Sequence, residues 1–149
     1  MSADASSATV NVLCPRCATA NRVLVARLAD GPRCGSCKSA LFDGHPVELD
    51  GAAFERHVAH SDLPLIVDFW APWCAPCRAM APVFERAARA LEPHARLAKV
   101  NTDDEQALAG TLGIRGIPTL AVFKGGKEVA RTSGAMDESR LVAWVRSHL

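Results

Sequence analysis

Apolar and polar positions alternate in short blocks along the chain, and the apolar blocks lengthen after about residue 45. Thr9-Val10-Asn11-Val12-Leu13 and Arg22-Val23-Leu24-Val25 are short, β-branched runs and read as strands. Val47-Glu48-Leu49 reads as another, and Asp50 is placed to cap a helix with Phe54 and Val58 on one face. Leu65-Ile66-Val67-Asp68-Phe69-Trp70 is nearly continuous in apolar character, the pattern of a central strand covered on both sides. A long helix is expected from the Cys74 region to about Leu91, kinked at Pro82. Ala95 to Val100 is the next strand, and Asp103 or Asp104 opens a short helix ending near Gly113. Thr119 to Phe123 and Glu128 to Arg131 flank Lys124-Gly125-Gly126-Lys127, a hairpin signal. Asp137 caps a last helix with Leu141, Trp144 and Val145 along one side. The order β-α-β-α-β-α-β-β-α predicts an α/β fold, a mixed sheet with helices on both faces.

Phe42-Asp43-Gly44-His45-Pro46 interrupts regular structure and divides the chain into residues 1–45 and residues 46–149. The first part has too few large side chains for a self-sufficient core, so something other than burial must hold it together. Lys and Arg total 17 against 16 Asp and Glu, which leaves no field to attract nucleic acid or anionic lipid. The first seven residues carry an acid, no base and no apolar stretch, so no secretory leader is expected. The longest apolar run, Leu63 to Trp73, is broken by Pro64, Asp68 and Pro72 and is too short to span a membrane. The expectation is a monomer in the reducing cytoplasm.

Six cysteines in such a compartment point away from permanent structural disulfides. They form three Cys-x-x-Cys pairs. Cys14/Cys17 and Cys34/Cys37 are separated by 16 residues, a spacing that suits one tetrahedral zinc ion with Zn–S distances of about 2.3 Å. The alternative is four ordinary thiols or two disulfides. Four sulfurs fill the coordination shell, so the ion is read as structural, its binding energy serving to fold the first part. His45 is read as a surface residue rather than a ligand.

Cys74-Ala75-Pro76-Cys77 lies where the apolar strand ends and the long helix starts. Free N–H groups and the helix dipole stabilise a thiolate there, so Cys74 is the candidate nucleophile. Cys77, three residues on, shares its helical face and is placed to resolve a mixed disulfide. A third zinc half-site is the competing reading, but it has no partner pair. Asp68 within an apolar strand should have a raised pKa and could accept and return the proton of the second thiol. The alternative is an ordinary acid on an edge strand. Lys99 in the next strand is either the charge partner of Asp68 or a solvated lysine. An adaptor that binds protein or nucleic acid through the first part, and a zinc-responsive switch, are the competing functions.

Val67-Asp68-Phe69-Trp70-Ala71-Pro72-Trp73-Cys74-Ala75-Pro76-Cys77 closely resembles the active-site segment of thioredoxins. The likeness continues through Ala98 to Asp103, Gly113 to Thr119 and Gly134-Ala135, and covers Val47 to Leu149. With the preceding cysteine pairs, the chain resembles the zinc-containing thioredoxin 2 subtype. The resemblance implies a thioredoxin fold, with Cys74 attacking, Cys77 resolving and Asp68 assisting proton transfer. It implies a cis bond at Pro118, and a substrate-docking patch made of Trp73, Gly116, Ile117, Pro118, Gly134 and Ala135. Disulfide-containing proteins would be the substrates. Electrons would come from NADPH through thioredoxin reductase, so the chain would bind no nicotinamide or flavin itself. Ala75 stands where most thioredoxins have glycine, which puts the redox potential in question by some tens of millivolts.

Overall fold

In a computed structural model, residues 8–149 are described. The reading of the first seven residues as free of a leader lies outside that range. Strands β1 (Thr9–Leu13) and β2 (Ala20–Leu24) form an antiparallel ribbon, followed by a 3-10 turn at Val25–Arg27. The remaining elements are β3 (Val47–Glu48), α1 (Gly51–His60), β4 (Leu65–Trp70), α2 (Ala75–Leu91), β5 (Arg96–Asn101), α3 (Gln106–Leu112), β6 (Thr119–Lys124), β7 (Lys127–Ser133) and α4 (Glu138–Arg146). Their order is the one the hydrophobic pattern predicts. The sheet runs β3-β5-β4-β6-β7, with β3, β5 and β4 parallel and β6 and β7 antiparallel to their neighbours.

Side-chain alternation along the strands supplies two cores. Ile66, Leu97, Leu120 and Val122 meet Met80 and Phe84 of α2 and Leu141 and Val145 of α4. On the opposite face Leu65, Val67, Phe69, Val100 and Phe123 pack with Phe54 of α1. The β6–β7 turn is made by Gly125 and Gly126, whose φ angles of 59° and 83° match the twist of a tight hairpin. Asp50 and Asp137 cap α1 and α4 as expected, each accepting from the backbone N–H three residues on.

One local expectation is corrected. Helix α3 starts at Gln106, not at Asp103 or Asp104. The Asn101 carboxamide oxygen accepts from the N–H groups of both aspartates and holds them in a turn. Glu105, which precedes the helix, instead accepts from Gly51 N at 2.8 Å across the fold. Helix α2 runs from Ala75 to Leu91 with Pro82 inside it, as the pattern predicts.

The ribbon has a small core of Val12, Cys14, Val23, Leu28, Cys34 and Leu41, into which Leu63 of the α1–β4 connection inserts. It is joined to the main sheet by Arg96, the first residue of β5. This arginine is 1% exposed, donates to Leu13 O at 3.1 Å and Leu41 O at 2.7 Å, and lies 3.4 Å from a Glu92 carboxylate oxygen. Its guanidinium also covers the Phe42 ring. A buried guanidinium needs such partners, because an unpaired one costs several kcal/mol. Glu92 accepts in addition from Gly44 N, and Asn11 and Asp62 exchange two hydrogen bonds. Arg96 is paired with Leu65 at the start of β4, whereas the cysteine pair follows Trp70 at its end. At about 3.3 Å per residue, the ribbon is held about 16 Å along the sheet from that end.

Candidate redox centre and cysteine cluster

Cys74 is the N-cap of α2, with extended backbone, and its Sγ accepts from Cys77 N at 3.2 Å. The geometry follows from the local sequence. Pro72 ends the strand, and Pro76 occupies the first turn, where its missing N–H leaves no helical hydrogen bond unmade. Cys74 and Cys77 are joined in a disulfide, with Cα atoms 5.2 Å apart. On reduction, the same N–H and the helix terminus would favour a thiolate at Cys74. Cys74 is 5% exposed and Cys77 2%, so the open face expected of the nucleophile is narrow. Ala71, Trp70 and Ile117 cover the pair, while Trp73 beside it stands 67% exposed.

The Ile117–Pro118 peptide is cis, and Cys74 Sγ lies 3.7 Å from Ile117 O. Pro118 O accepts from Gly134 N at 2.9 Å, and the Thr119 hydroxyl donates to Gly116 O. These bonds tie Gly116, Ile117, Pro118 and Gly134 to one another. Gly116, Gly134 and Ala135 are exposed, Ile117 is half-buried and Pro118 is buried. The Trp73 indole donates to an Asp103 carboxylate oxygen at 3.1 Å, a partner 30 residues away that the sequence reading did not include.

Asp68 is fully buried and neither carboxylate oxygen has a hydrogen-bond partner. Burial pushes its pKa to about 7, against the attraction of Lys99, which lowers it, and with the repulsion of Glu48, which raises it. Lys99 is opposite Asp68 in the β4–β5 register, but its ammonium sits over the Trp70 ring, 4.4 Å from the centroid. Among the described residues, Asp68 forms no ion pair within 4 Å, so the two are neighbours rather than a closed salt bridge.

The other four cysteines form one cluster whose sulfurs lie within 4.8 Å of one another. Cys14 and Cys37 Sγ are 3.5 Å apart, and Cys17 and Cys34 Sγ are 3.6 Å apart. Each pair sits in the same backbone knuckle. Arg16 N and Cys17 N point at Cys14 Sγ, and Ser36 N and Cys37 N point at Cys34 Sγ. The turns close at Ala18 and Lys38, with φ of 61° and 68°. N–H groups aimed at sulfur favour thiolates, and the separations are those of sulfurs about 2.3 Å from a common centre, so the donor set fits tetrahedral zinc. His45 is exposed and pairs with Glu85 instead.

Arg96 and His57 carry no motif and were not singled out by sequence. His57 is 2% exposed and burial pushes its pKa down to about 4, with Arg96 and Arg56 adding repulsion. For Arg96 the available signal is a charge at the start of a strand whose next two residues, Leu97 and Ala98, are apolar.

A strand ending in a helix-capping Cys-x-x-Cys disulfide beside a cis-proline loop defines a thiol–disulfide oxidoreductase. Residues 45–147 match the thioredoxin family and residues 13–39 match the zinc ribbon described as "Thioredoxin 2, N-terminal". The chain belongs to the thioredoxin family. It is 38% identical to thioredoxin C-3 of Corynebacterium nephridii over 138 residues, covering 93% of this chain and 94% of that one. It is 43% identical to thioredoxin 1 of Nostoc sp. over 102 residues, 68% of this chain and 95% of that one. Among solved structures, the N21Q mutant thioredoxin from Halobacterium salinarum NRC-1 superimposes with a TM-score of 0.64 at 34% identity, over 71% of this chain and 92% of that one.

Proposed function

We propose that the chain reduces disulfides in other proteins through Cys74 and Cys77, and that a zinc ion held by Cys14, Cys17, Cys34 and Cys37 stabilises its N-terminal part. The observation that carries the catalytic reading is the capping geometry: Cys74 Sγ accepts from Cys77 N at the start of α2, beside the cis-proline loop and the exposed Trp73.

The Cys74 thiolate attacks one sulfur of a substrate disulfide. A mixed disulfide forms and the other substrate sulfur leaves as a thiolate. Cys77 gives its proton to Asp68 and attacks Cys74 Sγ; the Cys74–substrate bond breaks and the second substrate sulfur leaves. Two electrons pass from the cysteine pair to the substrate, and its two thiolates take up protons. A carboxyl titrating near neutrality is suited to that transfer. Trp73, Gly116, Ile117, Pro118, Gly134 and Ala135 form the docking surface for an extended substrate segment. Lys99 adjusts the charge around Asp68.

Electrons enter from NADPH through thioredoxin reductase, with the chain binding neither nicotinamide nor flavin. It acts as a cytoplasmic monomer made of residues 1–45 and 46–149. No helix among the described residues is long and apolar enough to cross a membrane.

Coupled turnover with thioredoxin reductase, NADPH and a protein disulfide tests the reading. Cys74→Ser should abolish turnover, and Cys77→Ser should accumulate a mixed disulfide with the substrate. Turnover surviving Cys74→Ser would refute the mechanism.

A further inference from the structure

Three charged side chains from three neighbouring strands share one row of the sheet. Glu48 of β3 is opposite Lys99 of β5, and Lys99 is opposite Asp68 of β4. Residues in register on adjacent strands point to the same face. That face is the one covered by α2 and α4, because Ile66 and Leu97, two residues before Asp68 and Lys99, belong to its core. Strands about 4.8 Å apart place Glu48 and Asp68 on either side of Lys99 and about 10 Å from each other.

The surroundings of the two acids differ. Asp68 is fully buried without a hydrogen-bond partner, whereas Glu48 is exposed at the sheet edge. Lys99 is half-buried on the strand between them, its ammonium resting on the Trp70 ring of β4, and among the described residues it forms no ion pair within 4 Å with either acid. Helices α2 and α4 bring apolar side chains to the core of this face, among them Met80, Phe84, Leu141 and Val145. On the helical side Cys77 clusters with Cys74, Ala71, Trp70 and Ile117 just beyond the end of β4, the strand that carries Asp68. At the outer end partial burial raises the Glu48 pKa, Lys99 lowers it and Asp104 raises it, and Arg16, Asp43 and His45 line the groove beside Glu48.

A lysine on a flexible four-carbon stem, one strand from a buried carboxylate, would close into an ion pair unless something held it elsewhere. A closed pair would keep Asp68 ionised at neutral pH and remove its capacity to take a proton. The Trp70 ring provides one hold on the ammonium, and Glu48 provides the opposing charge. We propose that Glu48 is a positioning residue for thiol exchange: its charge, on the far side of Lys99, offsets the pull of Asp68 on the ammonium, so that Lys99 stays on the Trp70 ring and Asp68 stays unpaired and free to accept the Cys77 proton. This role presupposes the proton transfer by Asp68 proposed above.

The test is a direct titration of the Asp68 side-chain carboxyl by carbon-detected NMR in the full oxidised chain. The proteins compared are wild type, Glu48→Gln, Glu48→Asp, Lys99→Met and the Glu48→Gln/Lys99→Met double variant. Removing a charge about 10 Å away shifts a titration by about 0.3 to 1 pH unit, and freeing the ammonium adds to that. Glu48→Gln should therefore move the Asp68 midpoint down by at least that amount, and the low-pH limb of the disulfide-reduction profile should move with it. Glu48→Asp should restore most of the midpoint, and the Glu48→Gln effect should fall by half or more in the Lys99→Met background. Equal shifts in the two backgrounds would mean a through-space effect only and would overturn the positioning role, as would no shift or an upward one. If Asp68 of the wild type titrated as an ordinary carboxylate, the proton-transfer reading itself would fall and this role with it. A raised midpoint that Glu48→Gln leaves in place would sink the role alone.

Discussion

Replacing Asp68 with asparagine should change how stability depends on pH more than it changes stability at any one pH. The carboxyl is fully buried, and burial raises its pKa from the ordinary 3.8 to about 7. Between those values the folded chain holds a proton that the unfolded chain has released. Folded stability therefore falls as pH rises from about 4 to about 7, and levels off above. The full change is about 4 kcal/mol, at about 1.4 kcal/mol for each pH unit. Asparagine has no such titration. Denaturant unfolding of the oxidised protein at intervals from pH 4 to pH 8.5 gives the difference in stability between wild type and Asp68→Asn. That difference should move by about 4 kcal/mol in favour of the variant as pH rises. The cost of burying an amide without partners shifts the two curves by a constant, which is why the slope carries the test. Curves that stay parallel to within about 1 kcal/mol would refute the assignment of a buried, neutral carboxyl.

His57 acts with the opposite sign. Its pKa falls from 6.5 to about 4, so stability is lost as pH drops through that window, by about 3 kcal/mol, and His57→Leu should flatten acid unfolding between pH 6.5 and pH 4. Arg96→Met strips Leu13 O, Leu41 O and Glu92 of their partner, and should cost about 3–5 kcal/mol in unfolding experiments; Arg96→Lys should recover little, having no planar fork. Metal analysis of the reduced protein should find one zinc per chain and two readily oxidised thiols. Removing the metal should abolish amide-exchange protection in β1 and β2, while the far end of the sheet around Trp70 stays protected.

The redox pair, each Cys-x-x-Cys knuckle of the cluster and the succession of strands and helices are legible in the linear sequence because each depends on nearest neighbours. A thiol three residues from another at a strand-to-helix junction, an apolar run of strand length, and a Gly-Gly turn are set by local geometry. The start of α3 was misplaced because its first turn is decided by Asn101 and by the engagement of Glu105 with Gly51, 54 residues away. The same holds for the burial of His57, the indole contact between Trp73 and Asp103, and the row formed by Glu48, Lys99 and Asp68. Arg96 is the extreme case, a charge whose purpose is a carbonyl 83 residues upstream. Charged side chains carry no periodic signature of where they will be buried. Their partners come from other elements, and only the assembled sheet, with the ribbon packed against its far end, brings those groups within reach.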